Sequence, residues 1–130
     1  MGKIEDNNNF SFRKRLVSFK YAFKGIYYLI KSQHNAWIHL CAAIIVIAFG
    51  VFFSLSTTEW LFVSLSIGMV FSAEAFNTAI EMIMDKISPA YNNTTGKIKD
   101  IAAGAVLISA IASAIVGIII FLPKITEYLK

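Results

Sequence analysis

The sequence predicts an all-α membrane protein in which one amphipathic surface helix precedes three transmembrane helices. Of its 130 residues, 57% are hydrophobic and 15% are charged, and the mean hydropathy of +0.64 exceeds what soluble domains of this length usually reach. Three apolar stretches have the length of about 20 residues that crosses a bilayer. Seven of the twelve Lys and Arg residues precede position 32, ahead of the first stretch.

The N-terminal part of the chain divides into a tail and a helix. Residues 1–11 contain three consecutive asparagines and are predicted to be a disordered tail. Residues 12–35 place apolar side chains at steps of three and four, with Lys20 and Lys24 on another face, as in an amphipathic helix. Beside membrane spans, such a basic helix suits anionic lipid headgroups rather than nucleic acid. A helix that packs on a soluble partner is the alternative.

A transmembrane domain is predicted at residues 36–124, with a short tail at 125–130. Its spans are expected at residues 36–55, 60–84 and 101–122, with Pro123 ending the third helix and a loop at 87–96. The short 54–59 connection carries no Lys or Arg, whereas three lysines lie around the second connection. The positive-inside rule therefore predicts a cytoplasmic N-terminus and a cytoplasmic second connection.

The third span carries small residues at every fourth position, which allow helix backbones to approach closely. They are Ala105, Ser109, Ser113 and Gly117. This face is explained either by packing within the chain or by contact between protomers that share a site.

Four polar residues interrupt the second span: Glu74, Asn77, Glu81 and Asp85. Their spacing places all four on one narrow stripe of a helix, here called the polar stripe. A charged side chain near the centre of a membrane helix costs roughly 2.5–3.5 kcal/mol on insertion scales, so hydrophobic packing does not explain the stripe. A cation site, a proton path or a catalytic site would explain the polar stripe.

The position of the polar stripe favours phosphoryl transfer. Asp85 is at the predicted cytoplasmic end, across the connection from two lysines and an aspartate: Lys97, Lys99 and Asp100. Carboxylates beside lysines suit a complex of Mg²⁺ and nucleotide. Glu81 and Glu74 are about 10 Å apart along the helix axis, which leaves room for phosphate and acceptor hydroxyl. No Walker loop and no kinase-type glycine-rich loop is present in the sequence.

These residues carry a family resemblance. The segments GMVFSAEAFNTAIEMIMDKI and GKIKDIAAGAVL, with FKYAFKGI upstream, closely resemble the small prokaryotic integral-membrane diacylglycerol kinases, which include undecaprenol kinases. The family signature is E-x-x-N-[ST]-A-I-E-x-x-x-D, a loop of about a dozen residues, then a K-D motif that leads into A-V-L. The resemblance extends from about Phe12 to Lys124. It implies an ATP-dependent lipid kinase that forms a homotrimeric bundle in the bacterial inner membrane, with active sites between subunits near the cytosol.

The resemblance also implies roles for individual residues. Glu74 resembles the general base and contacts the lipid, Glu81 resembles a ligand of Mg²⁺, and Asn77 and Asp85 resemble positioning residues of the catalytic group. Ala103 replaces a serine found in some members, at a position implied to contact substrate. The residues implied to contact ATP are Lys14, Tyr21, Tyr91, Asn92, Lys99 and Asp100.

One position departs from the family pattern. Where most members have a glutamate as second metal ligand, this chain has Gln33. An amide oxygen still coordinates a hard cation but brings no charge, so we expect either weaker metal binding or a metal held mainly by Glu81 and the phosphates. A catalytically weakened homologue is the alternative. An ion-coupled carrier and a non-enzymatic membrane adaptor remain as alternative functions. The sequence leaves the acceptor open between diacylglycerol and undecaprenol, since both present a primary hydroxyl.

Overall fold

The computed structural model describes residues 12–90 and 92–130, and all the regular structure in this part of the chain is helical. Three of the helices are long and apolar enough to cross a membrane, which confirms the predicted fold class. The predicted tail at residues 1–11 and the predicted ATP contact Tyr91 lie outside the described residues. The helices are α1 (Phe12–Ser32), α2 (His34–Phe52), α3 (Thr57–Ile87) and α4 (Asn93–Tyr128).

Helix α1 is separated from α2 by a single residue. Gln33 has an extended backbone (φ −111°, ψ 118°), so the chain changes direction there and α1 ends at Ser32 rather than at residue 35. Most side chains of α1 are exposed, and Leu29 is its buried contact with the other helices. This exposure suits an interfacial helix whose apolar face contacts lipid.

The connection between α2 and α3 is a tight, well-capped turn. Ser54 adopts a positive φ of 50°. Ser56 accepts a hydrogen bond from the Glu59 backbone N–H (3.3 Å), and the Glu59 carboxylate accepts one from the Ser56 N–H (2.7 Å). This reciprocal capping box satisfies two N–H groups at the start of α3. The Lys124 ammonium lies 3.1 Å from the other Glu59 oxygen and ties α4 to the same turn.

Helix α4 is longer at both ends than the sequence suggested. Asn92 caps its start by accepting a hydrogen bond from the Thr95 N–H (2.8 Å), so residues 93–96, expected in a loop, are helical. The expectation that Pro123 ends the helix was wrong, because α4 continues to Tyr128. The ring of Tyr128 packs against the rings of Phe52 and Phe53, at centroid distances of 5.6 and 6.2 Å, and this contact supports the last turn. Residues 125–128, predicted as a tail, therefore belong to α4.

Helices α3 and α4 form the main packed pair, and α2 joins them more sparsely. The small-residue face of α4 contributes to this pair: Ser109 is buried, and the Ser113 hydroxyl lies 3.3 Å from the carbonyl oxygen of Ser66 on α3. Packing within the chain thus accounts for Ser109 and Ser113. Large apolar side chains such as Leu65 and Ile118 remain 70% and 60% exposed, as expected for lipid-facing positions.

Candidate functional site

The polar stripe runs from the buried middle of α3 to its exposed end. Glu74 is 1% exposed and Asn77 is 7% exposed. Glu81 is half-buried and Asp85 is exposed. Thr78, next to Asn77, is also buried. The stripe therefore joins the interior of the helix bundle to the end of α3 that meets α4.

Hydrogen bonding within the stripe is incomplete. The Asn77 side-chain N–H donates to a Glu81 carboxylate oxygen at 3.2 Å, which fixes the relative positions of these two side chains. Glu74 Oε2, Asn77 Oδ1 and Thr78 Oγ1 are buried and find no hydrogen-bond partner among the described residues. A buried polar atom left without a partner costs about 1–3 kcal/mol. Such atoms grouped together mark a functional site, where a ligand, an ion or water can complete their hydrogen bonds.

Glu74 and Asn77 line a cavity of about 280 Å³ at the meeting point of three helices. Helix α4 contributes an apolar wall that includes Ala103, so the two residues implied to contact the lipid, Glu74 and Ala103, line the same space. Helix α2 contributes Asn35, Ile38 and His39.

Asn35 and His39 were missed by the sequence analysis, although the structure places both at the wall of this cavity. They are four residues apart, on one face of a helix, and are polar residues at the start of an otherwise apolar span. This spacing is the signal that could have identified them. Their side chains add hydrogen-bonding groups to the cavity that Glu74 also lines.

At the exposed end of the stripe, Lys99 on α4 forms an ion pair with Asp85 on α3. The Lys99 side chain is about one-third exposed (34%) and that of Asp85 two-thirds exposed (67%), so both remain accessible to a ligand from the aqueous phase. Asp100, the next residue, is exposed. The structure thus brings together Asp85 and Lys99, which the sequence placed on opposite sides of a connection.

The other predicted nucleotide contacts lie farther along the chain. Lys14 and Tyr21 are exposed on α1, and the Lys24 ammonium lies 5.9 Å from the centroid of the Tyr21 ring. Asn92 uses its side chain to cap α4 and also donates to the Ser88 hydroxyl at 2.9 Å. This capping is a structural role that the sequence analysis did not assign.

The donor groups fit a magnesium ion that arrives with a nucleotide. In residues 12–90 and 92–130, no group of three or more His, Cys, Asp or Glu side chains forms a metal site. Glu81 offers one carboxylate, steadied by Asn77, and Gln33 at the α1–α2 junction offers an amide oxygen. Mg²⁺ in phosphoryl-transfer sites is commonly held by one or two carboxylates together with substrate phosphates and water. The two donors Glu81 and Gln33 would therefore be enough for a Mg²⁺ ion that is also held by the phosphates of a nucleotide.

Comparison with known proteins identifies the family of the chain. The sequence pattern of the family described as prokaryotic diacylglycerol kinase matches residues 20–121. An undecaprenol kinase of Bacillus subtilis (strain 168) is 41% identical over 108 residues, which cover 83% of this chain and 88% of that protein. A diacylglycerol kinase of Synechocystis is 36% identical over 111 residues, which cover 85% of this chain and 63% of that protein.

A more distant relative, the diacylglycerol kinase of Escherichia coli K12, is 25% identical over 116 residues, or 84% of this chain and 89% of that protein. The family match covers most of the chain, including the whole polar stripe and Lys99. The chain belongs to the prokaryotic diacylglycerol kinase family, and it is a lipid kinase.

Proposed function

We propose that this chain transfers the γ-phosphate of Mg·ATP to the primary hydroxyl of a membrane lipid, diacylglycerol or undecaprenol, at the cytosolic surface of the bacterial inner membrane. The observation that carries the proposal is the Glu74 carboxylate, which is buried, lines a cavity and has an oxygen without a partner among the described residues. Because the chain belongs to a family of lipid kinases, the carrier and adaptor alternatives are not needed to explain the polar stripe.

In the proposed reaction, the free oxygen of Glu74 accepts the proton of the lipid hydroxyl. The hydroxyl oxygen then forms a bond to the γ-phosphorus while the bond between that phosphorus and the bridging oxygen of ADP breaks. Asn77 donates to one Glu81 oxygen and so holds this carboxylate on the same helix face, between Glu74 and the exposed end of the stripe. The γ-phosphate therefore has to reach the hydroxyl beside Glu74, while the rest of the nucleotide lies toward the exposed end of the stripe.

Nucleotide binding is proposed at the exposed end. Lys99 and Asp100 contact ATP, with Lys14, Tyr21, Tyr91 and Asn92 completing the contacts. Glu81 and Gln33 would hold Mg²⁺, which would offset the charge of the phosphates when bound. Asp85 orients the Lys99 ammonium through the observed ion pair.

The direct test supplies purified protein with Mg·ATP and with each lipid in parallel. We expect phosphate transfer to at least one of the two acceptors. Each of them appears in the name of a relative, one an undecaprenol kinase and the other a diacylglycerol kinase. Absence of transfer to both lipids would overturn the proposal. It would favour the catalytically weakened homologue, the alternative that Gln33 raises.

The proposal includes an orientation and an assembly. The N-terminus and the α3–α4 connection face the cytoplasm, α1 lies in the headgroup layer, and three copies assemble so that sites lie at subunit boundaries. Support for the orientation comes from the basic residues before position 32 and around the α3–α4 connection. ATP then reaches Lys99 from the cytosol.

Cysteine labelling checks this orientation. In a Cys41→Ala background, Thr57→Cys and Thr94→Cys should react with an impermeant maleimide from opposite sides of sealed vesicles. Thr94 is preferred because it is exposed, whereas the neighbouring Thr95 is 7% exposed and is held in the first turn of α4. Labelling of both cysteines from one side would contradict the proposed path of ATP.

The substitution Gln33→Glu tests the metal site. If Gln33 approaches Mg²⁺, the added carboxylate should lower the Mg²⁺ concentration that gives half-maximal activity, with a smaller effect on the lipid KM. His34→Glu is the matched control, because it adds the same charge one residue away at an exposed position. An unchanged Mg²⁺ titration in Gln33→Glu, or an equal shift in both variants, would remove Gln33 from the metal site.

A further inference from the structure

The proposed reaction leaves a proton on Glu74 in each turnover. The acceptor hydroxyl loses this proton when its oxygen bonds to the γ-phosphorus, and the Glu74 carboxylate becomes a carboxyl group. Glu74 is 1% exposed, so bulk water has little direct access to it. Before the next turnover, the proton needs a path out of a buried site.

His39 on α2 offers that path. Among the described residues that line the cavity of Glu74, His39 is the other one that takes up a proton near neutral pH, because the rest are asparagines and apolar residues of α2, α3 and α4. The His39 ring and the Glu74 carboxylate are close enough for their charges to interact. An imidazole both accepts and releases a proton readily at physiological pH. The cavity therefore pairs a base with a group that can regenerate it.

Glu81 is the alternative acceptor, since its charge also acts on Glu74. Its link to Glu74 along the helix is Asn77, which donates to Glu81 at 3.2 Å. A primary amide does not take up a proton at neutral pH, so this hydrogen bond does not relay one. In the proposed reaction Glu81 also holds Mg²⁺, and a nearby cation favours the deprotonated carboxylate. Glu81 is therefore a poorer acceptor than His39.

The surroundings of His39 give the direction in which the proton leaves. His39 also lines the neighbouring cavity of about 280 Å³, where no other described residue of the wall has a titratable side chain. The Ser113 hydroxyl in that wall donates to the Ser109 carbonyl oxygen at 2.8 Å. On the opposite side, Asn35 lies one helix turn from His39, is exposed, and belongs to the first turn of α2. The exit to water is therefore on the Asn35 side.

We propose that His39 removes the proton from Glu74 after each phosphoryl transfer. A nitrogen of the neutral imidazole takes the proton while the O–H bond of the Glu74 carboxyl group breaks, and the imidazolium then releases the proton to water near Asn35. Both side chains thereby return to the states in which the turnover began. This inference rests on the proposed lipid kinase reaction. His39 acts through Glu74 and does not itself deprotonate the acceptor.

The substitution His39→Ala tests the proposal, because it leaves a space of about the size of an imidazole in the wall of the cavity. We expect kcat to fall about tenfold or more, while the KM values for lipid and ATP stay within about twofold of the wild type. Imidazole added to the assay should restore most of kcat. Pyrazole, a ring of the same size and a far weaker base, should not.

Three further variants serve as controls. His34→Ala makes the same change at an exposed position of α2 and should keep kcat within about twofold of the wild type, with no response to imidazole. His39→Gln keeps a polar, hydrogen-bonding side chain that takes up no proton, and it should be as slow as His39→Ala. Glu74→Gln should gain nothing from imidazole, because the base itself is missing.

Several results would overturn the inference. A His39→Gln variant as active as the wild type would reduce His39 to a hydrogen-bonding role. Equal restoration of His39→Ala by imidazole and pyrazole would show that the ring only fills space. A His39→Ala variant as fast as the wild type would show that the proton leaves by another route. In these three cases the wild type still transfers phosphate and the proposed function stands, whereas a wild type without transfer would overturn both.

Discussion

Replacing Glu74 by glutamine is expected to lower kcat by about 10²–10⁴-fold, the range that positioned general bases supply. Glutamine keeps the size of the side chain and its hydrogen-bonding capacity but does not accept the hydroxyl proton. The protein should fold as well as the wild type, because the substitution removes an ionisable group that is 1% exposed and has a buried oxygen without a hydrogen-bond partner among the described residues. Steady-state kinetics with saturating lipid and ATP, together with nucleotide binding, give the measurement.

Glu127→Gln serves as the control for Glu74→Gln. Glu127 is exposed near the end of α4, far from the cavity, so the same chemical change there should leave kcat within about twofold of the wild type. Nucleotide affinity should be unchanged in both variants. A kcat for Glu74→Gln within a few-fold of the wild type would exclude Glu74 as the base.

The second large effect is expected at Lys99. Lys99→Met should raise the KM for ATP by about 10- to 100-fold, because a charge-assisted contact to phosphate contributes about 1.5–3 kcal/mol. The ion pair with Asp85 is partly exposed and worth about 0–1 kcal/mol, so the unfolding temperature should change little. The combination of impaired nucleotide binding with retained stability indicates a role in binding rather than in packing.

Two further variants sharpen this experiment. Lys97→Met removes the same charge from an exposed position two residues earlier and should change the KM for ATP by less than about twofold. The double substitution Asp85→Lys with Lys99→Asp keeps an ion pair between α3 and α4 but reverses it. An active double variant would show that the pair only ties the helices together, and the nucleotide role of Lys99 would be abandoned.

The sequence predicted the parts of the structure that depend on local periodicity. Three apolar stretches became three long helices, and the spacing of Glu74, Asn77 and Glu81 placed them on one face of α3. These predictions succeed because side chains three and four residues apart share a helix face whatever surrounds it. The assignments of general base, metal ligand and nucleotide contact remain predictions for the experiments above.

What the sequence did not predict depends on contacts between helices. His39 lines the cavity because of the way α2 lies against α3 and α4; its spacing from Asn35 marks a polar helix face but does not say which helices that face meets. The expectation that Pro123 ends α4 considered only the helix-breaking effect of proline. It did not include the contact between the rings of Tyr128 and Phe52, which supports the turn after Pro123. Asn92 is a different case, since asparagine is a preferred N-cap residue and could have marked the start of α4.

The contact between Gly50 and Trp60 fixes α2 against α3 at the end that lies away from Glu74. A Cβ at position 50 would lie 2.7 Å from the Trp60 ring and 3.0 Å from Leu55, so only glycine lets the far end of α2 sit this close to the start of α3. The rings of Phe52 and Phe53 pack against Tyr128 and hold the same end of α2 to α4. The opposite end, beside Glu74, continues into α1 through Gln33, and Ala36 in its first turn is fully buried. A side chain larger than glycine at position 50 would therefore force α2 and α3 apart at the end away from the polar stripe.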